Sequence, residues 1–146
     1  MPSALPSGAG SLTNVEPRIS FITLGVSDLA RSTQFYADVL KLPQLPSPPS
    51  VAFFELGQTW LSLFPRTDLA ADAGVPASGS GFPGFTLAHN VRSAEEVDRL
   101  IAELAAAGVR IVQQPQRADW GGYTAYFADP DDFLWEVAWN PHFPHV

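Results

Sequence analysis

Residues 19–43 read ISFITLGVSDLARSTQFYADVLKLP, and the change of period inside this stretch decides the fold. ISFITLGV is rich in β-branched and apolar residues and stops at Ser27-Asp28, whose side chains suit the N-cap of a helix. A strand therefore feeds into a helix. Leu29, Ser32, Phe35, Tyr36, Val39 and Leu40 then recur at i, i+3, i+4 spacing and give one packed face. Pro43 and Pro46 end the helix, because proline lacks the N–H that the next turn needs. A short strand around Gln44 and Leu45 follows, weakened by those prolines. VAFFEL (51–56) and TWLSLF (59–64), joined by Gly57-Gln58, read as an antiparallel hairpin.

Outward from this half, the same order recurs. GFTLAHNV (84–91) repeats the first strand, and Ser93 with Glu96 forms an S-x-x-E capping box that opens a second helix. Val97, Leu100, Ile101 and Leu104 supply its buried stripe, and Gly108 suits the position that closes it. VRIVQQP (109–115), GGYTAYF (121–127), the turn Asp129-Pro130-Asp131-Asp132 and FLWEVAW (133–139) complete three more strands. Val26 and Val91 each close their first strand just before a helix cap, which aligns Phe21 with Thr86 and Thr23 with Ala88. The expected fold class is α+β: two tandem βαβββ modules forming a curled mixed sheet around a central cup. Residues 1–17, rich in Pro, Ser, Gly and Ala, read as a flexible tail. A single domain spans 18–141, with module one at 18–66, a linker at 67–83 dominated by small and turn-forming residues, and module two at 84–141. Residues 142–146 form a C-terminal tail.

Composition excludes several function classes. The 146 residues contain no cysteine, so disulfides, thiolate metal sites and cysteine nucleophiles are ruled out. Eight Lys and Arg against fifteen Asp and Glu leave a net charge of −7. A phosphate-tracking surface is thereby disfavoured, and no nucleic-acid partner is expected. No apolar run approaches the roughly 20 residues of a membrane span, and the first residues lack the basic flank and apolar stretch of a signal peptide. A cytoplasmic protein without a membrane partner is expected.

FITLGVSDLARSTQFYADVLKLP, FFELGQTWLSLF and YFADPDDFLWEVAW together resemble the vicinal oxygen chelate superfamily, which includes glyoxalases, extradiol dioxygenases, fosfomycin-resistance transferases and bleomycin-resistance proteins. The resemblance covers about residues 18–140. In metal-using members, inward-pointing His, Gln or Glu residues of both modules hold one divalent ion. Carried over residue by residue, the first-strand ligand falls on Phe21, the fourth-strand ligand on Ser62, the fifth-strand ligand on Thr86 and the last-strand carboxylate on Glu136. One good donor out of four does not hold zinc, iron or nickel. No cofactor is therefore expected, and a divalent metal is disfavoured. By strand alternation Phe21, Thr23 and Gly25 share the cup face with Trp60, Ser62 and Phe64. Gly84, Thr86, Ala88, Asn90, Tyr126, Leu134 and Glu136 share it on the second half. Phe21, Thr23, Trp60, Ser62, Thr86, Tyr126 and Glu136 are the candidate ligand-binding residues, for a small aromatic or cationic molecule.

Glu136 is also the candidate catalytic residue, as a general base; its other reading is a carboxylate hydrogen-bonded to Ser62, Thr86 or water. His89 falls with Leu87 and Val91 on the outer face and reads as a packed structural histidine. His142 and His145 form an H-x-x-H pair, but Pro141 and Pro144 oppose the helix that would align them on a metal. Trp120-Gly121-Gly122-Tyr123 reads as a pocket-mouth loop or as the turn into a strand. Asp132 stands where the superfamily's turn carries glycine, so a left-handed aspartate is expected there. Trp135, Val137 and Trp139 alternate outward as core or interface, and the two tryptophans suggest a homodimer. Three functions compete: a metal-independent sequestering protein of the bleomycin-resistance type, a glyoxalase- or dioxygenase-type enzyme using Glu136, and an interaction module with no small-molecule ligand. The first is favoured by the missing ligands.

Overall fold

The chain alternates strands and helices in two copies of one order, as seen in a computed structural model that describes residues 16–83 and 85–142. In the first copy β1 (Phe21–Val26) leads into α1 (Leu29–Gln34), whose N-terminus is capped by Asp28 accepting from the Arg31 N–H at 3.0 Å. The helix runs on as a π-helical turn, Phe35–Val39, and ends with Lys41 in the left-handed region. β2 (Gln44–Leu45), β3 (Ala52–Leu56) and β4 (Thr59–Pro65) follow, with Gly57 at φ +60 making the hairpin turn. The sheet order is β1-β4-β3-β2, with β1 and β4 parallel and Phe21 opposite Trp60 and Thr23 opposite Ser62.

The second copy repeats this as β5 (Leu87–Asn90), α3 (Ala94–Ala106), β6 (Arg110–Arg117), β7 (Tyr123–Ala128) and β8 (Leu134–Trp139), in the order β5-β8-β7-β6. Ser93 caps α3 by accepting from the Glu96 N–H, and the Glu96 carboxylate accepts in return from the Arg92 N–H, both at 3.2 Å. Asp132 is left-handed, as its place in the turn requires, and its carboxylate pairs with Arg110 at 2.8 Å.

Two expectations need correction. The segment 67–83 is not simply a linker: α2 (Arg66–Ala73) occupies its first half and closes on left-handed Gly74. This helix has no buried residue, so it leaves no apolar stripe in the sequence. It lies against β1 at Gly25, where an added Cβ would stand 3.2 Å from the Arg66 Cα and 3.3 Å from the Leu69 side chain, so a larger residue would push the helix outward. Secondly, β5 begins at Leu87, so Thr86 lies outside the strand. Residues 1–15, Gly84 and His145 fall outside the described residues. None of the helices described is long and apolar enough to cross a membrane.

One core lies between the two sheets. Leu24, Val26, Phe54, Leu61 and Leu63 enter it from the first sheet, and Ala125, Phe127, Trp135 and Val137 from the second. Burying side chains of this size is worth about 1.5–3 kcal/mol each. Tyr36, fully buried, sits between them with its ring 6.0 Å from Phe54 and 6.1 Å from Trp135. Its hydroxyl donates to Asp129 at 2.7 Å and accepts from the Trp135 indole N–H at 3.1 Å. The Asp131 carboxylate accepts from the Ser27 N–H at 3.0 Å and the Ser32 hydroxyl at 3.2 Å, so the turn of module two holds the start of α1. Because both sheets spend their inner faces on this shared core, the opposite faces turn away from each other. The two sheets remain separate four-stranded units and do not close around a cup within one chain. Trp135 belongs to the core and Trp139 packs against it, so neither offers the free apolar surface expected of them.

Candidate functional site

Strand alternation places Phe21 and Thr23 of β1, Trp60 and Ser62 of β4, and Phe53 and Glu55 of β3 on the outer face of the first sheet. Phe21, Phe53 and Trp60 form an aromatic triad with centroids 5.6–6.0 Å apart, in tilted or edge-on contacts. Phe21 remains 49% exposed, so the triad is an open platform. Beneath it the hydroxyls of Thr23 and Ser62 lie 2.5 Å apart, and Ser62 is only 1% exposed. α2 walls off the Gly25 end. Phe53 and Glu55 were missed in the sequence reading. The signal was present, because VAFFEL alternates and a hairpin about Gly57-Gln58 sets Glu55 beside Trp60 and Phe53 beside Ser62.

The second sheet carries the other half. Tyr126 of β7 and Glu136 of β8 are directly opposed, with Ala88 of β5 on the far side of Glu136. Burial pushes the Glu136 carboxyl above its ordinary range, and the Tyr126 hydroxyl partly offsets this by hydrogen bonding. Burial, and then the neighbouring Glu136 charge, likewise raise the Tyr126 phenol. In the loop before β7 the Trp120 indole lies where a side chain at position 122 would go, since a Cβ on Gly122 would stand 2.0 Å from two of its ring carbons. Gly122 shares the face of Thr124 and Tyr126 by alternation, so the indole covers that end of the half-site. Gly121 at φ +100 makes the turn into β7.

The candidate residues thus fall into two groups. Phe21, Thr23, Trp60 and Ser62 come together on one sheet, Tyr126 and Glu136 on the other, and one chain does not bring the groups into contact. Thr86 joins neither group; it is exposed ahead of β5. His89 lies with Leu87 on the face of β5 away from the half-cup, beside Val137, as expected, but it is exposed rather than packed, because β5 is an edge of its sheet and a groove opens beside it. His142 is exposed at the end of the described chain.

The donor set does not match a catalytic divalent metal. Phe21 has no donor atom, the Ser62 hydroxyl is buried and bonded to Thr23, and Thr86 stands apart. Glu136 alone is a competent ligand. Among the described residues no group of three or more His, Cys, Asp or Glu is placed to share an ion. What the two half-sites can do is stack a planar molecule on the triad and neutralise a cation at Glu55 and Glu136.

Comparison with known proteins agrees with this architecture. The family model described as the glyoxalase/bleomycin resistance protein/dioxygenase superfamily matches residues 18–137. The uncharacterised protein YraH of Bacillus subtilis (strain 168) is 33% identical over 122 residues, covering 80% of this chain and 93% of that protein. Metallothiol transferase FosB of Lysinibacillus sphaericus is 28% identical over 118 residues, covering 81% and 79%. Among solved structures, a glyoxalase-related enzyme from Fulvimarina pelagi superposes with a TM-score of 0.81 at 33% identity, over 90% of this chain and 94% of that one.

Proposed function

Because the chain belongs to the glyoxalase/bleomycin resistance protein/dioxygenase superfamily, we propose that it is a metal-independent binding protein that sequesters a small aromatic or cationic molecule in a cup completed by a second copy of itself. The observation that carries this reading is the division of the site: an aromatic platform on one sheet and a carboxyl–phenol pair on the other, both facing away from the shared core. β1 and β5 are each an outer strand of their sheet, and an outer strand is a template for pairing with another chain. Setting the β5 side of a second copy beside β1 would bring Tyr126 and Glu136 of that copy over Phe21, Phe53 and Trp60. Each homodimer would then hold two cups, each with Glu55 and Glu136 to meet a cation. The net charge of −7 favours the same ligand. A cytoplasmic place and the lack of a nucleic-acid partner belong to this reading.

The test is a thermal-shift screen of planar aromatic cations and their neutral isosteres. Hits are then titrated against wild type, Phe21→Ala, Trp60→Ala and Glu136→Gln. Loss of one ring contact, worth about 0.5–1.5 kcal/mol, should weaken binding up to about tenfold. Glu136→Gln should weaken cations and spare neutral aromatics. Hits indifferent to all three changes would defeat the proposal and favour an interaction module.

A second reading has one specific observation behind it. The raised proton affinity of Glu136 brings it toward the range useful to a general base, so a metal-free enzyme acting through Glu136 is the alternative. Glu136→Gln would then retain binding of a substrate but abolish its turnover, an outcome that simple sequestration does not give.

A further inference from the structure

On the side of the second sheet away from the half-cup, a cavity of about 400 Å³ opens between the π-helical turn of module one and α3 of module two. That volume lies in the range of small-molecule sites. Its walls are apolar: Leu56 comes from β3, Leu100 and Leu104 from α3, and Phe127 and Trp135 from the second sheet. Four charged or titratable residues reach its rim. They are Asp38, Lys41, His89 and Glu103, all exposed.

Three features meet here. The helix widens to a π-turn over Phe35–Val39, a geometry frequent at functional sites. Lys41 takes φ +59, a conformation unusual for a residue with a side chain. His89 is exposed in the middle of a strand whose outer face should be covered by a helix. The rim charges are unequal. The Lys41 ammonium turns back to the Asp38 carbonyl at 3.2 Å. The ion pairs among the described residues are Arg18–Glu16, Arg31–Asp131 and Arg110–Asp132, so neither the Asp38 nor the Glu103 carboxylate is in a direct ion pair.

We propose that this cavity is a second small-molecule site, separate from the cup, that takes a compact hydrophobic ammonium ion. The apolar body would sit against Leu100, Leu104 and Trp135, and the charged head would remain at the rim with Asp38 and Glu103. Two carboxylates, neither in a direct ion pair, outnumber the one lysine at the rim and select a cation over an anion of the same shape, and the acidic protein as a whole does the same. The site draws its walls from both modules, so its occupant also bridges them.

The probes are 4-phenylbutylamine, its neutral analogue 4-phenylbutan-1-ol and its anionic analogue 4-phenylbutyrate, titrated by calorimetry into the full chain. The amine should bind once per chain, tighter than the alcohol, with the anion weakest. The double variant Asp38→Asn, Glu103→Gln should weaken the amine about three- to tenfold, as two exposed pairings allow, and leave the alcohol unchanged. Ala107→Trp, on an exposed lining position at the end of α3, should fill the cavity and abolish binding of both. Trp60→Ala and Glu136→Gln should have no effect. The proposal is overturned if the anion binds as well as the amine, if no saturable binding occurs, or if binding survives Ala107→Trp. Amine binding that responds to Trp60→Ala or Glu136→Gln would place the probe in the cup and overturn this site while leaving the cup reading intact.

Discussion

At Glu136 the fold holds a carboxyl group whose ionisation it disfavours. The folded chain binds this proton more tightly than the unfolded chain does. Its contribution to stability is therefore present while the group is protonated, and is lost as the pH rises from the ordinary carboxylate range through the raised folded value. Glu136→Gln cannot ionise, so it should melt above wild type at pH 8 and converge with it near pH 4. Thermal melts over that range decide the matter; a gap that does not widen with pH would contradict the burial of this group. A residue kept at a cost to the free protein fits one that repays the cost on binding a ligand. Its position was readable from sequence, since LWEVAW alternates and the superfamily resemblance points to the same residue. Its partner Tyr126 followed from alternation as well. Glu55 was equally readable, since VAFFEL alternates and the hairpin sets it beside Trp60, but it stands at no position that the superfamily resemblance marks.

The two longer helices differ in how they declare themselves. α3 carries a capping box and an apolar stripe, both local signals, and it was placed correctly. Ser93→Ala removes the side-chain acceptor for the Glu96 N–H and should cost about 1 kcal/mol, read as a lower urea midpoint at unchanged slope. A larger slope change would mean the helix had been lost outright. α2 has neither signal. None of its residues is fully buried, and its helical form depends on lying against β1 at Gly25, a contact about forty residues away in the chain. The shortened β5 has a similar origin: GFTLAHNV has the residue types of a strand throughout, yet β8 pairs with it only from Leu87 to Asn90.

Across the whole molecule the two modules are joined through Tyr36. Tyr36→Phe would take the hydroxyl donor from Asp129 Oδ2, leaving that carboxylate only the Asp131 and Phe133 N–H groups on Oδ1, and would leave the Trp135 indole N–H without its acceptor, both in the core. Each orphaned atom costs about 1–3 kcal/mol, so a loss of about 2–4 kcal/mol is expected in urea unfolding. Burial already holds the Asp129 carboxyl above its ordinary range, and the Tyr36 hydrogen bond opposes that shift. Its removal raises the proton affinity further. The variant's deficit should therefore be larger at pH 8 than at pH 5, and a deficit independent of pH would show that Asp129 is not the group affected. For the assembly, the proposed composite cup makes a complementation prediction. Trp60→Ala and Glu136→Gln chains, each impaired alone, should regain half of the wild-type sites in mixed dimers, because one cup per heterodimer carries neither change. Calorimetric stoichiometry checks this, and no recovery on mixing would place the whole site within one chain.

The order of the strands with α1 and α3, the twofold repeat, the caps of those two helices and the left-handed Asp132 were determined by sequence alone. Each rests on residues within a few positions of one another, where period, cap chemistry and backbone preference act directly. Which face of each sheet would be buried was decided only by tertiary structure. Alternation sorts Phe21 from Ile22, and Glu136 from Trp135, without saying whether the two polar faces will look at each other. Packing settled that: Tyr36 is large enough to fill the space between Phe54 and Trp135 and has partners for its hydroxyl in both directions. The modules therefore join through their apolar faces, and the half-sites, together with the cavity between the π-turn and α3, follow from that choice.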